Sequence, residues 1–267
     1  LVKIDAKGSN ILLNSSAVQR LAGVRIVLVE PNGDINIGSV ARVMKNMGLQ
    51  QLWIVSPRCC PHSELAYRWA VHGKEVLTQA TITDRLDTAL KGCQRIFATV
   101  GRDVADLALP CWPPREGAPQ LLGTGTAALI FGREDRGLTN QELALAQGLI
   151  RIPTATLYPS LNLAQAVAVC CYELWCAASN PAGTSDQESA VTFERLQGFY
   201  DHLEQLLLRV GFLYPHTAAR RMEKVRSLLG RAYPTEAEVA LLRGMVRQLE
   251  WAIGQPSPTK SDTFPLQ

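Results

Sequence analysis

Three stretches of this 267-residue chain hold side chains that could bind an anion or another ligand. The first, 32–42, reads N-G-D-I-N-I-G-S-V-A-R and ends on Arg42, about one helical turn beyond Gly38 and Ser39. Helical side chains lean toward the N-terminus, so Arg42 reaches back over two small residues toward the positive end of its helix. An anion bound there meets backbone N–H groups, the helix dipole and a guanidinium together. An ordinary exposed arginine is the plainer reading of the same residues. The second stretch, 131–140, reads F-G-R-E-D-R-G-L-T-N. Gly132 lets a ligand approach the backbone, and four alternating charges follow before a Thr/Asn cap; a solvated turn is the alternative. In the third, 150–163, Ser160 and Asn162 stand just before an apolar run, where both also read as helix caps.

Other chemistries find no support. Gly123 and Gly125 precede a strand, whereas a dinucleotide loop needs its glycines between strand end and helix start. There is no Walker A sequence, and His62, His72, His202 and His216 lack ligand spacing, so no metal is expected. Seven cysteines without any C-x-x-C oppose a zinc site and a secreted disulfide framework. Cys170 and Cys171 lie in a run too apolar to favour a thiolate and read as inert core thiols. No apolar stretch reaches the roughly 18–20 residues of a membrane span, and no signal peptide is visible. A reducing cytoplasm is the expected location.

The elements that must position these stretches read as alternating strands and helices. Short apolar runs at 24–30, 51–56, 95–100, 126–131 and 149–152 are expected strands. Helices are expected near 37–47 with Asn36 as N-cap, near 63–70, 83–91 and 115–122, and as a buried helix over 161–177. This alternation implies an α/β fold with a mostly parallel sheet covered on both faces. The polar, turn-forming segment 179–186 is the clearest linker, and beyond it apolar residues recur at helical period over 193–210, 218–229 and 235–253. The expected organisation is an extension (1–23), an α/β domain (24–179), a linker (180–190), an all-α module (191–253) and a tail (254–267).

With 47% hydrophobic and 19% charged residues the chain can bury real cores. The net charge of +3 hides a local excess. Arg220, Arg221, Lys224, Arg226 and Arg231 stand against one acid, Glu223, and positions 220, 224 and 231 follow a helical face. A solvated helix face and a phosphate-contacting patch both fit that pattern.

Taken in order, the patterns N-x-G-x-x-A-R (36–42), F-G-R-E-x-x-G-L-T-N-x-E-L (131–143) and S-L-N-L-A-x-A-V (160–167) resemble the three motifs of the SPOUT-class RNA ribose 2′-O-methyltransferases of the TrmH-like branch. The resemblance covers 24–179. Residues 199–212 and 241–250 are similar to the helical extension of one subgroup, the bacterial tRNA methyltransferases of anticodon-loop nucleotide 32. It implies a SPOUT fold whose C-terminal sheet portion, roughly 128–175, is threaded into a deep trefoil knot, an exception to the rule against knots. It implies S-adenosylmethionine held largely by backbone at Thr99, Val100, Gly101, Gly132, Ile152, Pro159, Ser160 and Leu161. Pro159 stands where relatives often carry Ser and removes an N–H.

The same resemblance gives Arg42, Asn36, Glu134, Ser160 and Asn162 catalytic or site-shaping roles. Arginine is a difficult base, so Arg42 is expected to orient the ribose or its phosphate and stabilise alkoxide charge. Arg42, Arg220, Arg221, Lys224 and Arg226 are the expected RNA contacts. The implied partners are tRNA and a second copy of the chain, with Arg42 acting beside its partner's cofactor. Methylation of rRNA or of another tRNA position, and a catalytically silent RNA-binding SPOUT protein, remain alternatives.

Overall fold

The run V-R-I-V-L-V forms strand β1 (Val24–Val29), and its side chains alternate between two cores. Val24, Ile26 and Leu28 pack into one, Val27 and Val29 into the other. A strand buried on both faces needs apolar residues on each, and five of its six positions are apolar; the exception, Arg25, donates to the Ala89 and Lys91 carbonyls. The computed structural model describes residues 16–101, 109–123, 125–155, 157, 160–180 and 190–254. The expected linker core and tail, 181–189 and 255–267, the extension up to residue 15, and Pro159 lie outside these residues.

After β1 come helix α1 (Asp34–Asn46), β2 (Gln51–Val55), α2 (Glu64–Ala70), a short 3-10 turn (Val71–Gly73), α3 (Lys74–Thr78), β3 (Thr81–Thr83) and α4 (Leu86–Leu90). The second half of the sheet follows: β4 (Cys93–Thr99), β5 (Cys111–Trp112), α5 (Pro114–Leu121), β6 (Thr126–Phe131), α6 (Asn140–Leu143) and β7 (Gly148–Ile150). The long α7 (Leu163–Ser179) closes the α/β part. The seven strands are parallel, in the order β3-β2-β1-β6-β4-β7-β5. Insertion of β6 and β7 between strands laid down earlier is the arrangement a threaded C-terminal segment would need. Helices α1, α2, α5 and α7 cover one face, and α4, α6 and the start of the C-terminal module cover the other.

Two short strands escaped the pattern. β3 is an exposed three-residue edge pairing only with β2, and β5 lies inside the Pro-rich loop between Pro110 and Pro113. The segment expected as one helix over 83–91 is the end of β3 followed by the shorter α4. Helix α1 starts earlier than expected, with Gly33 as N-cap and no side-chain cap. Asn36 therefore sits within the first turn, its amide free to act elsewhere.

Beyond the linker, α8 (Phe193–Arg209), α9 (Pro215–Gly230) and α10 (Glu236–Gly254) pack around a core of Leu196, Phe199, Tyr200, Leu206, Met222 and Val246. The module docks on the sheet through Phe193, through Glu194, which accepts from Gly92 N–H at 2.9 Å, and through Arg95 stacked over the Tyr233 ring. A bundle of about 60 residues is marginal alone and gains from such docking. All seven cysteines are free thiols. Cys170 and Cys171 are buried in α7, where burial pushes the Cys170 thiol up to about 12.

Candidate functional site

A cavity of about 290 Å³ opens at the C-terminal ends of β4, β6 and β7, where open α/β sheets place their ligands. Thr99, Val100 and Gly101 come from the end of β4, Gly132 and Glu134 from the loop after β6, and Ile152 from the segment after β7. Ser160 and Leu161 reach it from the lead-in to α7. Every expected cofactor position among the described residues thus lines one cavity. Leu138, Ile150, Leu163 and Ala166 complete an apolar wall. Thr99 uses its hydroxyl to donate to the Ile130 carbonyl at 3.0 Å, which ties β4 to β6 at the rim.

The loop after β6 is held by its own motif residues. A Cβ at Gly132 would overlap the backbone of Gly137, so only glycine lets the loop close on itself. Gly137 sits at φ +69°, the left-handed region that favours glycine. Arg133, only 8% exposed, folds inward. It donates to both carboxylate oxygens of Glu142 at 2.9 and 2.8 Å, to the Gly137 carbonyl at 3.3 Å, and to Glu30. Glu142 also closes the capping box of α6 with Thr139. Glu30 lies at the end of β1 with φ +46° and accepts from Arg58 Nε at 2.8 Å. The hydrogen bond from Arg133, against the opposing effect of burial and with help from Arg58, holds the Glu30 carboxyl down at about 2. Burial raises Glu142, but its bonds to Arg133 and the Thr139 N–H overcome this and leave it lowered. Neither Glu30 nor the inward path of Arg133 was expected from sequence, where R-E-D-R reads as a solvated turn.

The three motifs meet in a chain of amides. Asn162 caps α7, its Oδ1 accepting from Ala164 N–H at 2.9 Å. That fixes its Nδ2 as a donor, and it donates to Asn36 Oδ1 at 3.0 Å. Asn36 Nδ2 must then face outward, and it donates to Glu134 Oε1 at 3.0 Å. Glu134 also accepts from the Asn32 backbone N–H at 3.2 Å. Each amide orientation is dictated by its neighbour, so the assignment is self-consistent. Asn36, Glu134 and Asn162 thus form a relay of hydrogen bonds that joins all three motifs beside the cavity.

Arg42 stands apart. It is exposed, does not line the cavity, and has no hydrogen-bond or ion-pair partner among the described residues. Gly38 and Ala41, which precede it, serve packing. A Cβ on Gly38 would overlap the Ala66 carbonyl of α2, and the backbone of Ala41 and Arg42 lies against Gly73. The space over Gly38 is therefore filled by α2 and not open to an anion, contrary to the expected reach-back. Asp34, in the first turn of α1, accepts from Cys60 N–H at 3.1 Å. Burial, then Asp34, pushes the Cys59 thiol up to about 12.

The expected RNA contacts on α9 divide. Arg220 and Lys224 are exposed, and neither has a hydrogen-bond or ion-pair partner among the described residues. Arg221 donates to the Phe212 carbonyl at 2.7 Å. Arg226 is held inward, its guanidinium 4.6 Å from the Tyr200 ring centroid and bonded to Gln197. The structure does not bring these four together into one cluster. No group of three metal-ligating side chains occurs among the described residues, and no described helix is long and apolar enough to cross a membrane.

Comparison with known proteins agrees with this architecture. Residues 23–172 match the SpoU rRNA Methylase family, and residues 194–259 match the C-terminal domain of the tRNA methyltransferase TrmJ. The tRNA (cytidine/uridine-2′-O-)-methyltransferase TrmJ of Klebsiella pneumoniae is 41% identical over 239 residues, covering 86% of this chain and 97% of that protein. The tRNA (cytidine/uridine/adenosine-2′-O-)-methyltransferase TrmJ of Pseudomonas aeruginosa is 38% identical over 254 residues, covering 90% and 98%. The crystal structure of TrmJ from Z. mobilis superposes with a TM-score of 0.76 at 32% identity, covering 86% of this chain and all of that one. With its second and third motifs lining one cavity, its first tied to them through Asn36, and its helical module matched as well, the chain belongs to the SpoU methylase family, on its TrmJ branch.

Proposed function

We propose that this chain methylates the 2′-hydroxyl of a tRNA ribose, at anticodon-loop nucleotide 32, using S-adenosylmethionine, and that it works as a homodimer in the cytoplasm. The observation that carries the reading is the cavity itself, with its rim tied by the Asn36–Glu134–Asn162 relay. The lining fits the cofactor. Leu138, Ile152, Leu161 and Leu163 offer an apolar wall for an adenine ring, and the Glu134 and Asp135 carboxylates suit a cationic sulfonium. A Cβ on Gly101 would meet nothing within 4 Å among the described residues. Bound there, S-adenosylmethionine supplies an electrophilic methyl group.

The chain's own residues must then deliver and orient the ribose. A 2′-hydroxyl is a poor nucleophile at neutral pH, so alignment and charge stabilisation carry most of the work. Arg42 is suited to binding the ribose phosphate and stabilising developing alkoxide charge, because a guanidinium donates and does not accept protons. Its distance from its own cavity supports a paired site in which Arg42 of one subunit serves the cavity of the other. Exposed Leu161, just before α7, and Val169 and Tyr172 on α7, beside α1, support the same pairing. The TrmJ-type C-terminal module favours tRNA over rRNA.

The test supplies labelled S-adenosylmethionine with tRNA and rRNA transcripts. Transfer to tRNA is expected for the native chain. Arg42→Ala is expected to lose transfer by at least 100-fold while cofactor affinity, read by calorimetry, is kept. Transfer to rRNA alone would replace the reading, and absence of transfer with cofactor bound would favour a silent RNA-binding protein.

A further inference from the structure

A second cavity of about 290 Å³ lies between α8 and α10, far along the chain from the methyl-transfer motifs. Its lining is dominated by Arg195, His202, Glu236, Arg243 and Arg247, with Val239 and Ala240 as its apolar floor. Three guanidiniums therefore face one lining carboxylate. Glu236 is taken by Arg195, which donates to it at 2.6 Å, and His202 is paired with Glu250 at 2.8 Å. Arg243 and Arg247 have no hydrogen-bond or ion-pair partner among the described residues. They stand one helical turn apart on α10, on the side away from its exposed Leu241, Met245 and Leu249. Uncompensated guanidiniums in a concave wall focus a positive potential, and arginine's planar fork suits phosphate oxygens.

We infer that the α8–α10 groove is a phosphodiester-binding site that grips the RNA backbone through Arg243 and Arg247, with Arg195 at its edge. The inference rests on an RNA substrate, as proposed above, and assigns part of its binding to residues outside the α9 patch. Among the described residues the groove is lined by no Phe, Tyr or Trp, its one imidazole, His202, is taken by Glu250, and its apolar part is limited to Val239 and Ala240. Recognition there is of the backbone and is independent of sequence. Two cations at i and i+4 lie about 5–6 Å apart at their Cβ atoms, a separation that suits neighbouring phosphates on one strand.

The test uses the full chain, a tRNA transcript and an unrelated structured RNA of similar length. Affinity is measured over a series of salt concentrations. Each phosphate contact contributes about 0.7–0.9 to the slope of log K against log salt. Arg243→Gln/Arg247→Gln is expected to lower that slope by about 1.4–1.8 for both RNAs. At 0.1 M monovalent salt this corresponds to a roughly 25- to 60-fold loss of affinity, by the same slopes. Arg243→Lys/Arg247→Lys is expected to keep the slope, and both variants to melt with the native chain. An unchanged slope and affinity in the glutamine variant would overturn the site, as would a native chain that binds neither RNA. A native chain that binds RNA through this groove but transfers no methyl group would sink the tRNA methylation reading and leave the groove standing.

Discussion

Replacing Asn162 by aspartate sets two known effects against each other. As the N-cap of α7, aspartate is as good as asparagine and keeps the bond from Ala164 N–H. Its charge at a helix N-terminus adds about 0.3–1 kcal/mol of stability. Capping alone therefore predicts a slightly more stable protein. The relay predicts the reverse. Aspartate cannot donate to Asn36, which costs about 0.5–1.5 kcal/mol. It also places a second carboxylate across Asn36 from Glu134, and the Asn36 amide can then satisfy only one of them. At about 7 Å and an effective dielectric between 40 and 80, that repulsion is roughly 0.6–1.2 kcal/mol. The net expectation is a loss of about 1 kcal/mol, or about 2–4 °C in Tm for a protein of this size. Because the lost bond joins the motif loops, methyl transfer is expected to fall by at least about tenfold in kcat/KM, equivalent to about 1.4 kcal/mol. Thermal melting and steady-state transfer read the two effects, with Asn162→Ala as the variant that loses cap and relay together. An Asn162→Asp protein that melts at or above the native temperature and transfers at the native rate would refute the relay.

Other substitutions probe the scaffold. Gly38→Ala drives a methyl group into the Ala66 carbonyl, and an overpacked helix contact of this kind costs about 2–3 kcal/mol; the check is a denaturant midpoint shifted down with an unchanged m-value. Glu30 is lowered from 4.5 to about 2 on folding, so its contribution is complete above about pH 5 and is lost as pH falls toward 2. The stability gap between native and Glu30→Gln is expected to shrink by about 2 kcal/mol between pH 5 and pH 3, read by urea unfolding at each pH. Gly132→Ala forces the loop after β6 off the Gly137 backbone and is expected to weaken S-adenosylmethionine binding at least tenfold by calorimetry, with α8–α10 unaffected by near-UV dichroism.

The central strands and long helices were legible because burial on both faces demands largely apolar runs, as in β6 and, Arg25 aside, β1. β3 and β5 were not, since a three-residue exposed edge and a two-residue strand between prolines owe their shape to pairing with β2 and β7. The cavity positions could be named from motif resemblance. The packing within the first motif could not: Gly38 reads as a small residue beneath an anion held by Arg42, yet it is needed for α1–α2 packing. Arg133 looks solvated in R-E-D-R but is buried because Glu30, distant in sequence, and Glu142, nine residues on, converge on it. Arg226 stood in an apparent basic patch, and only the packing of α8 on α9 shows it turned toward Tyr200. Arg243 and Arg247 went unnoticed because acidic residues on the same helices balance the count; what distinguishes them is the lack of a partner, a tertiary property.

The account's central claim, methyl transfer to one ribose hydroxyl of tRNA, is tested most directly by a transcript carrying a single 2′-deoxy substitution at nucleotide 32. Incorporation from labelled S-adenosylmethionine is expected into the unmodified transcript and to vanish in the substituted one. Equal incorporation into both would contradict the assignment of the acceptor.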